Sequence, residues 1–156
     1  MTQLSRMALA IALEEQAAGA VEIGANNAGP WVQKYLGDHG PAPQPWCAAL
    51  VSWCFHEAAR RLGVPPPFYY ELNARALLRQ LPLVDDPQPG DIVGWWRGSA
   101  EGTMGHVGIV RALSRIRILS TLEGNRGRFP VGIRTIGYLM DSPEFRERLL
   151  GFGRVC

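Results

Sequence analysis

The sequence predicts an α+β domain in which N-terminal helices, one of them buried, pack on an antiparallel sheet. Three observations carry this. Up to about residue 81 the chain contains stretches rich in Ala, Leu, Glu and Gln and free of Pro, a composition that favours helices. From about residue 82 onward it changes to short β-branched and aromatic runs separated by Gly, Ser and Arg turns, which is how antiparallel strands read. Its 156 residues, 47% apolar and 19% charged, suit one globular domain spanning 1–156 with a complete core.

The helical part begins with Thr2 to Val21, where Thr2 is a natural N-cap and Gly24 to Pro30 stops the helix. Pro30 to Leu36 forms a short second helix. Gly37 to Pro45, with two Gly and three Pro, is loop and delivers the chain to Trp46 and Cys47. Cys47 to Leu62 is apolar around most of its circumference at first and ends at Gly63 with Pro65 beyond, so it is the buried helix. Gly63 to Pro67 is loop, Tyr70 to Gln80 a further helix, and Pro82 to Pro89 loop again.

Four runs follow with strand character: Asp91 to Trp96, His106 to Ala112, Arg115 to Leu122 and Val131 to Ile136. Ser142-Pro143-Glu144 pairs an N-cap with Pro at the first helical position, and Gly151 to Val155 is a last strand. Helices first and a meander afterwards make the α+β class.

Several functions are disfavoured by composition. Sixteen basic against fourteen acidic residues give a net charge of +2, too mild and too dispersed for a nucleic-acid binder. Cys47, Cys54 and Cys156 are too few for a disulfide scaffold. On one helix Cys47 and Cys54 stand about 10.5 Å apart, beyond the ~7 Å reach of a bridge. No Cys-x-x-Cys or His-x-x-x-His pattern offers a zinc site, so no metal and no cofactor is expected. Met7 to Leu13 follows Arg6 but runs directly into Glu14 and Glu15, so it reads as the buried face of a helix rather than a signal-peptide core. No apolar run approaches the ~20 residues of a membrane span.

The residues with chemical potential are few. Cys47 opens a helix, where the positive end of the dipole acidifies a thiol. Cys54 lies mid-helix among Trp53, Phe55 and Ala58 and reads as inert packing. His106 sits in Gly105-His-Val-Gly-Ile-Val110, where flanking glycines clear space beside an imidazole on an apolar strand. A base on a strand facing a nucleophile at a helix terminus is a cysteine-hydrolase arrangement. His39 in the loop and His56 on the far face of the Cys47 helix read as solvated surface groups.

A third residue must accept a hydrogen bond from the imidazole. If the strands bearing His106 and Glu123 turn symmetrically about Ser114-Arg115, His106 stands directly opposite Glu123, with Asn125 one diagonal step further. Glu123 is thus expected to orient the imidazole and Asn125 to assist or to contact substrate, although Glu123-Gly124-Asn125 also has the composition of a plain polar turn. Asp91 after Pro89-Gly90 is a turn residue bonding the loop backbone. Aromatic residues near a core helix are usually packing; Trp46 alone is assigned to a substrate groove.

Together, Pro45-Trp-Cys-Ala-Ala-Leu-Val-Ser-Trp-Cys54, Pro89-Gly-Asp-Ile-Val93, Gly105-His-Val-Gly-Ile-Val110 and Glu123-Gly-Asn125 resemble, in order, the motifs of the CHAP family of cysteine, histidine-dependent amidohydrolases and peptidases, relatives of the NlpC-type wall peptidases. The resemblance implies a papain-like fold and amide hydrolysis in peptidoglycan, either between muramic acid and L-Ala or within the stem or cross-bridge. Cys47 then matches the nucleophile, His106 the base, and Glu123 and Asn125 the orienting pair. The backbone N–H of Cys47 and the side chain of Gln44 are the oxyanion donors such enzymes suggest. Some members bind calcium in an acidic loop before the cysteine, but here that loop offers only Asp38, so none is expected. The expected partner is peptidoglycan, with no nucleic acid and no membrane span, and the chain is expected to be a monomer. It is expected to be made in the cytoplasm without a signal peptide and to act at the wall after release or delivery, as a phage lysin or as an effector with an immunity or delivery protein. A silent wall-binding module and a papain-like protease or transferase acting on protein are the competing readings.

Overall fold

A computed structural model describes all residues, Met1–Cys156. Helix α1 (Gln3–Ala17) starts where Thr2 caps it, the hydroxyl accepting from the Ser5 backbone N–H at 3.1 Å. It ends before the expected Val21, because Val21 leaves the helix to bridge Gly132. Helix α2 (Pro30–Leu36) has the expected bounds, and a 3-10 turn covers Gly37–His39. The central helix α3 (Cys47–Leu62) is also as expected. Gly63 closes it in the left-handed conformation at φ 67, with Arg60 and Arg61 in the last turn at the negative end of the dipole.

Helix α4 spans only Ala74–Leu78 where Tyr70 to Gln80 was expected. The cause is local. Glu71 Oε1 accepts the backbone N–H groups of Leu72 and Asn73, holding them in a turn, and the Asn73 side chain then caps the helix through Ala76 N.

Six strands form one sheet: β1 (Leu83–Val84), β2 (Ile92–Trp96), β3 (Gly105–Leu113), β4 (Ile118–Glu123), β5 (Arg134–Leu139) and β6 (Leu149–Gly153), with helix α5 (Pro143–Arg146) before the last. The order is β1-β6-β2-β3-β4-β5, with every pair antiparallel. This is not the simple meander expected, since β6 returns to lie between β1 and β2. The two-residue β1 fell in a segment read as loop. β5 starts later than Val131 because residues 131 and 132 pair elsewhere: Glu22 N donates to Val131 O, the Val131 N–H goes to Glu22 Oε2, and Gly132 bridges Val21. At the other end of β2, Asp91 accepts the Gln88 backbone N–H at 2.7 Å and pairs with Arg154, as a turn-holding residue should.

The main core lies between helices and sheet. Ile11, Tyr35, Leu36, Trp46, Leu50 and Phe55 fill it from the helical side, and Ile92, Val107, Ile109 and Leu122 from the sheet. A smaller cluster on the other face joins Val93, Trp95, Val110 and Leu119 to Met140, Phe145 and Phe152. Burying one such side chain contributes about 1.5–3 kcal/mol, so the helical layer that carries Cys47 is fixed firmly to the strands that carry His106. No helix is long and apolar enough to cross a membrane.

Candidate active site

Cys47 is the first residue of α3, preceded by Trp46 as an N-cap without a side-chain cap bond. The first backbone N–H groups of the helix therefore lack intrahelical partners beside the thiol. Trp46 itself is fully buried: its indole stacks on Tyr35 with ring centroids 5.8 Å apart, and Nε1 donates to Glu22 Oε1 at 3.1 Å. The groove role expected of Trp46 is thus corrected. It anchors the start of α3 in the core and presents no surface to a substrate.

His106 is the second residue of β3, 1% exposed, opposite Trp95 on β2 with the two rings stacked. Its Nε2 lies 2.7 Å from Glu123 Oε2, and Glu123 has no exposed surface. The other nitrogen, Nδ1, is buried without a well-formed hydrogen bond, and the Cys47 thiol is the proton-sharing neighbour left to it. Loose nucleophile–base geometry is usual before substrate binds.

The strand register differs from expectation. Ile109 faces Leu122, where a turn symmetric about Ser114-Arg115 would place Ser120, and a bulge follows Val110. The turn in fact spans Ser114 to Arg117, which lengthens the loop. This pairing places Glu123 beside Gly108 rather than opposite His106. Gly108 has no side chain, and a Cβ there would come 2.7 Å from Glu123 Cγ. The carboxylate runs over this gap and reaches His106 on the diagonal.

Two hydroxyls complete its surroundings. Thr121 Oγ1 and Tyr138 Oη each donate to Glu123 Oε1 at 2.6 Å, and Arg126 stands 3.7 Å from Oε2. Neither hydroxyl was singled out in the sequence. Thr121, two residues before Glu123 on the same strand face, carried a usable signal, whereas Tyr138 is brought in only by the β4–β5 pairing.

The electrostatics follow from burial and partners. Burial pushes the Cys47 thiol up, but the neighbouring His106 imidazole and its charge, the Val107 backbone N–H and the Arg97 guanidinium outweigh it and hold the thiol below its ordinary value. Burial pushes His106 down, and the neighbouring Cys47 thiolate together with the hydrogen bond and charge of Glu123 reverse this and raise it. Glu123 is likewise lowered, by His106 and the two hydroxyls against burial. At Cys54 burial and the charge of Glu15 outweigh the opposing charges of Lys34 and Arg61 and drive the thiol far up. Cys47 and His106 are therefore shifted in the directions that favour a thiolate–imidazolium pair, the pattern of a nucleophile and base rather than of packing.

A cleft of ≈ 440 Å³ opens at Cys47, lined among others by Asn27, Gln44, Asn73, Arg97 and Asn125. Asn125 adopts φ 58 and is not bonded to His106; it borders the cleft instead. Gln44 also borders it, but its amide Nε2 donates to Pro41 O at 2.7 Å, so one donor is spent on its own loop. Asn27, not singled out in the sequence, has a buried Oδ1 with no partner. His39 is exposed and stacks on Tyr70, whereas His56 is half-buried and bonded to Phe68 O at 2.9 Å, correcting its assignment to solvent. Neither lines the cleft at Cys47. No three His, Cys, Asp or Glu residues are grouped to hold a metal.

Among solved structures the fold is similar to that of a Staphylococcus aureus subsp. aureus Mu50 protein described as similar to lipoprotein, NLP/P60 family. The two align with a TM-score of 0.56 and 17% identity over 99% of this chain, which spans 42% of that one. That likeness bears out the papain-like fold. No curated protein matches the chain. The CHAP domain family matches residues 37–125, more than half of the chain and the whole stretch from the loop before Cys47 to Asn125. The chain belongs to the CHAP domain family.

Proposed function

We propose that this protein is a monomeric cysteine hydrolase that cleaves amide bonds of bacterial peptidoglycan, with Cys47 as nucleophile, His106 as acid and base, and Glu123 as the group that orients the imidazole. The observation that carries it is the buried string Cys47–His106–Glu123. Three ionisable side chains are withdrawn from water in line, a costly arrangement that packing alone does not require.

The chemistry follows from which atoms are free. Glu123 holds His106 by Nε2, so Nδ1 is the nitrogen that serves Cys47. Cys47 Sγ attacks the amide carbonyl carbon, the C–N bond breaks, and the Nδ1 proton passes to the departing amine. Water then adds to the thioester carbonyl, giving one proton to Nδ1, and the C–S bond breaks to release the carboxylic acid and regenerate the Cys47 thiolate. The Cys47 N–H at the open start of α3 is directed to the oxyanion. Asn125 borders the acyl position and is assigned to substrate contact, and Gln44 is the weaker second oxyanion donor.

The test is turbidity loss of purified sacculi with wild type and Cys47→Ala, followed by mass spectrometry of the released fragments to name the bond. Clearance by wild type alone supports hydrolysis. Equal binding without clearance by either protein would make the domain a silent wall-binding module, and cleavage of soluble protein but not sacculi would move the substrate to protein.

A further inference from the structure

A second cleft, of ≈ 490 Å³, lies on the other side of the dyad, lined by His106 instead of Cys47. Arg97 borders both clefts. Its floor is aromatic, with Trp95, Tyr138 and Phe145 packed on one another. Its rim is cationic: Arg97, Arg126 and Arg148 stand there against a single carboxylate, Glu144.

Carboxylates pair with six of the fifteen arginines. Arg60, Arg61, Arg117, Arg146 and Arg154 each lie within 3.1 Å of a carboxylate. Arg126 is partly neutralised by Glu123 at 3.7 Å. Arg97 and Arg148 have no carboxylate at ion-pair distance. Arg148 instead lies over the Trp96 ring, its guanidinium carbon 5.0 Å from the centroid, a contact that leaves its N–H donors unspent on any carboxylate. The Arg97 backbone is pinned in turn: the buried Arg75 donates to the carbonyls of Arg97, Ala100 and Met104. Both guanidiniums therefore border the cleft that His106 lines without an ion-pair partner of their own.

We propose that this cleft binds a carboxylate carried by the amine half of the substrate, the half that leaves first. The inference rests on the hydrolase reading above. There His106 protonates the departing nitrogen, so the amine half lies on the His106 side and the acyl half in the cleft at Cys47. Planar bidentate recognition of a carboxylate is what a stacked guanidinium does best. The aromatic floor accepts the short aliphatic stem that joins this carboxylate to the scissile amide. In peptidoglycan, free carboxylates belong to the peptide stem, so the bond cut is one with an acidic peptide on its amine side.

The experiment uses pairs of synthetic stem peptides that differ only in that carboxylate, present as free acid or as carboxamide. With wild type, kcat/KM for the free acid exceeds that for the amide by ~10-fold or more, as a charge-assisted pair predicts. In Arg97→Gln and Arg148→Gln the ratio falls towards one, and Arg97→Glu inverts it. A wild-type ratio of one, or variants that slow both forms equally, overturns the carboxylate site. Inhibition by inorganic phosphate with no effect of amidation assigns the cleft to phosphate and also overturns it. Calorimetric binding of both peptides to Cys47→Ala separates the two readings. Tighter binding of the free acid, weakened by salt, with no turnover by wild type would sink the hydrolase reading and keep the cleft. Turnover without discrimination does the reverse.

Discussion

Replacing Glu123 by Gln changes one atom in a site that has no slack. The carboxylate accepts three hydrogen bonds at 2.6–2.7 Å, from His106 Nε2, Thr121 and Tyr138, and none of its surface meets water. An amide of the same shape must aim its NH2 somewhere. If it points at the two hydroxyls, they turn to accept it and the imidazole keeps its tautomer but loses its counter-charge. A charge-assisted bond to a buried group is worth about 1.5–3 kcal/mol, which is roughly 10–150-fold in kcat/KM. If the NH2 points at His106, Nε2 becomes the acceptor, the proton moves to Nδ1, and the ring no longer takes a proton from Cys47; losses then approach ~10⁴-fold. The expected fall therefore lies between these limits. The sign of the pH effect is also fixed. Glu123 helps to raise His106, so without its charge the imidazolium gives up its proton earlier and the alkaline limb of the profile moves to lower pH. The assay is kcat/KM on one defined muropeptide across the pH range, with thermal melting to confirm folding. A folded variant with near wild-type rate and an unmoved alkaline limb would show that Glu123 does not act on His106.

Four further outcomes are expected. Glu123 is lowered in the folded state, so its stabilisation is complete above the ordinary Glu value of ~4.3 and is lost as pH falls through the lowered one; urea midpoints of Glu123→Gln should accordingly depend less on acid than those of wild type. Iodoacetamide at neutral pH should label Cys47 far faster than the fully buried, thiol-protonated Cys54, while exposed Cys156 labels without loss of activity; equal rates at the first two in folded protein would contradict the assignment. Asn125→Ala should lower kcat/KM less than Glu123→Gln and leave the pH limbs in place, because Asn125 borders the cleft and not the imidazole; abolished hydrolysis with a silent Glu123→Gln would exchange their roles. Gly124→Ala puts a Cβ 2.5 Å from Trp46 Cζ3 and 2.9 Å from Leu50 Cδ2, so it should cost roughly 1–3 kcal/mol in urea unfolding and reduce activity through Trp46, the neighbour of Cys47.

How much of this was legible in the sequence depended on how local the signal was. Helix α3 has its expected bounds because both ends are written in adjacent residues: a Pro-rich approach to Trp46 and the left-handed Gly63 after two arginines. Helix α4 is shorter than its composition suggests because its start is set by the side chains of Glu71 and Asn73, which compete with the helix rather than continue it. Glu123 meets His106, but not by the route the sequence suggested; a register two residues out was offset by the missing side chain of Gly108. The inward turn of Trp46 is not legible, because adjacency to Cys47 does not say which way a side chain turns, and Glu22, the buried acceptor that turns it inward, lies 24 residues away. Tyr138 and the position of β6 depend on long-range pairing, for which no short motif exists.

The place of β6 sets a time order on the birth of this domain. Residues 149–153 are translated after every other element, yet they occupy an inner position of the sheet, bonded to β1 on one side and β2 on the other. Until they emerge, β2 presents an open edge to water and to other chains, and β1 has no neighbour at all. The Cys47 helix and the His106 strand are complete long before that moment, but the sheet that holds His106 steady is not. A nascent or prematurely terminated chain therefore carries all of the reactive groups on an unfinished, aggregation-prone scaffold. The sheet is closed only when β6 takes its place between β1 and β2.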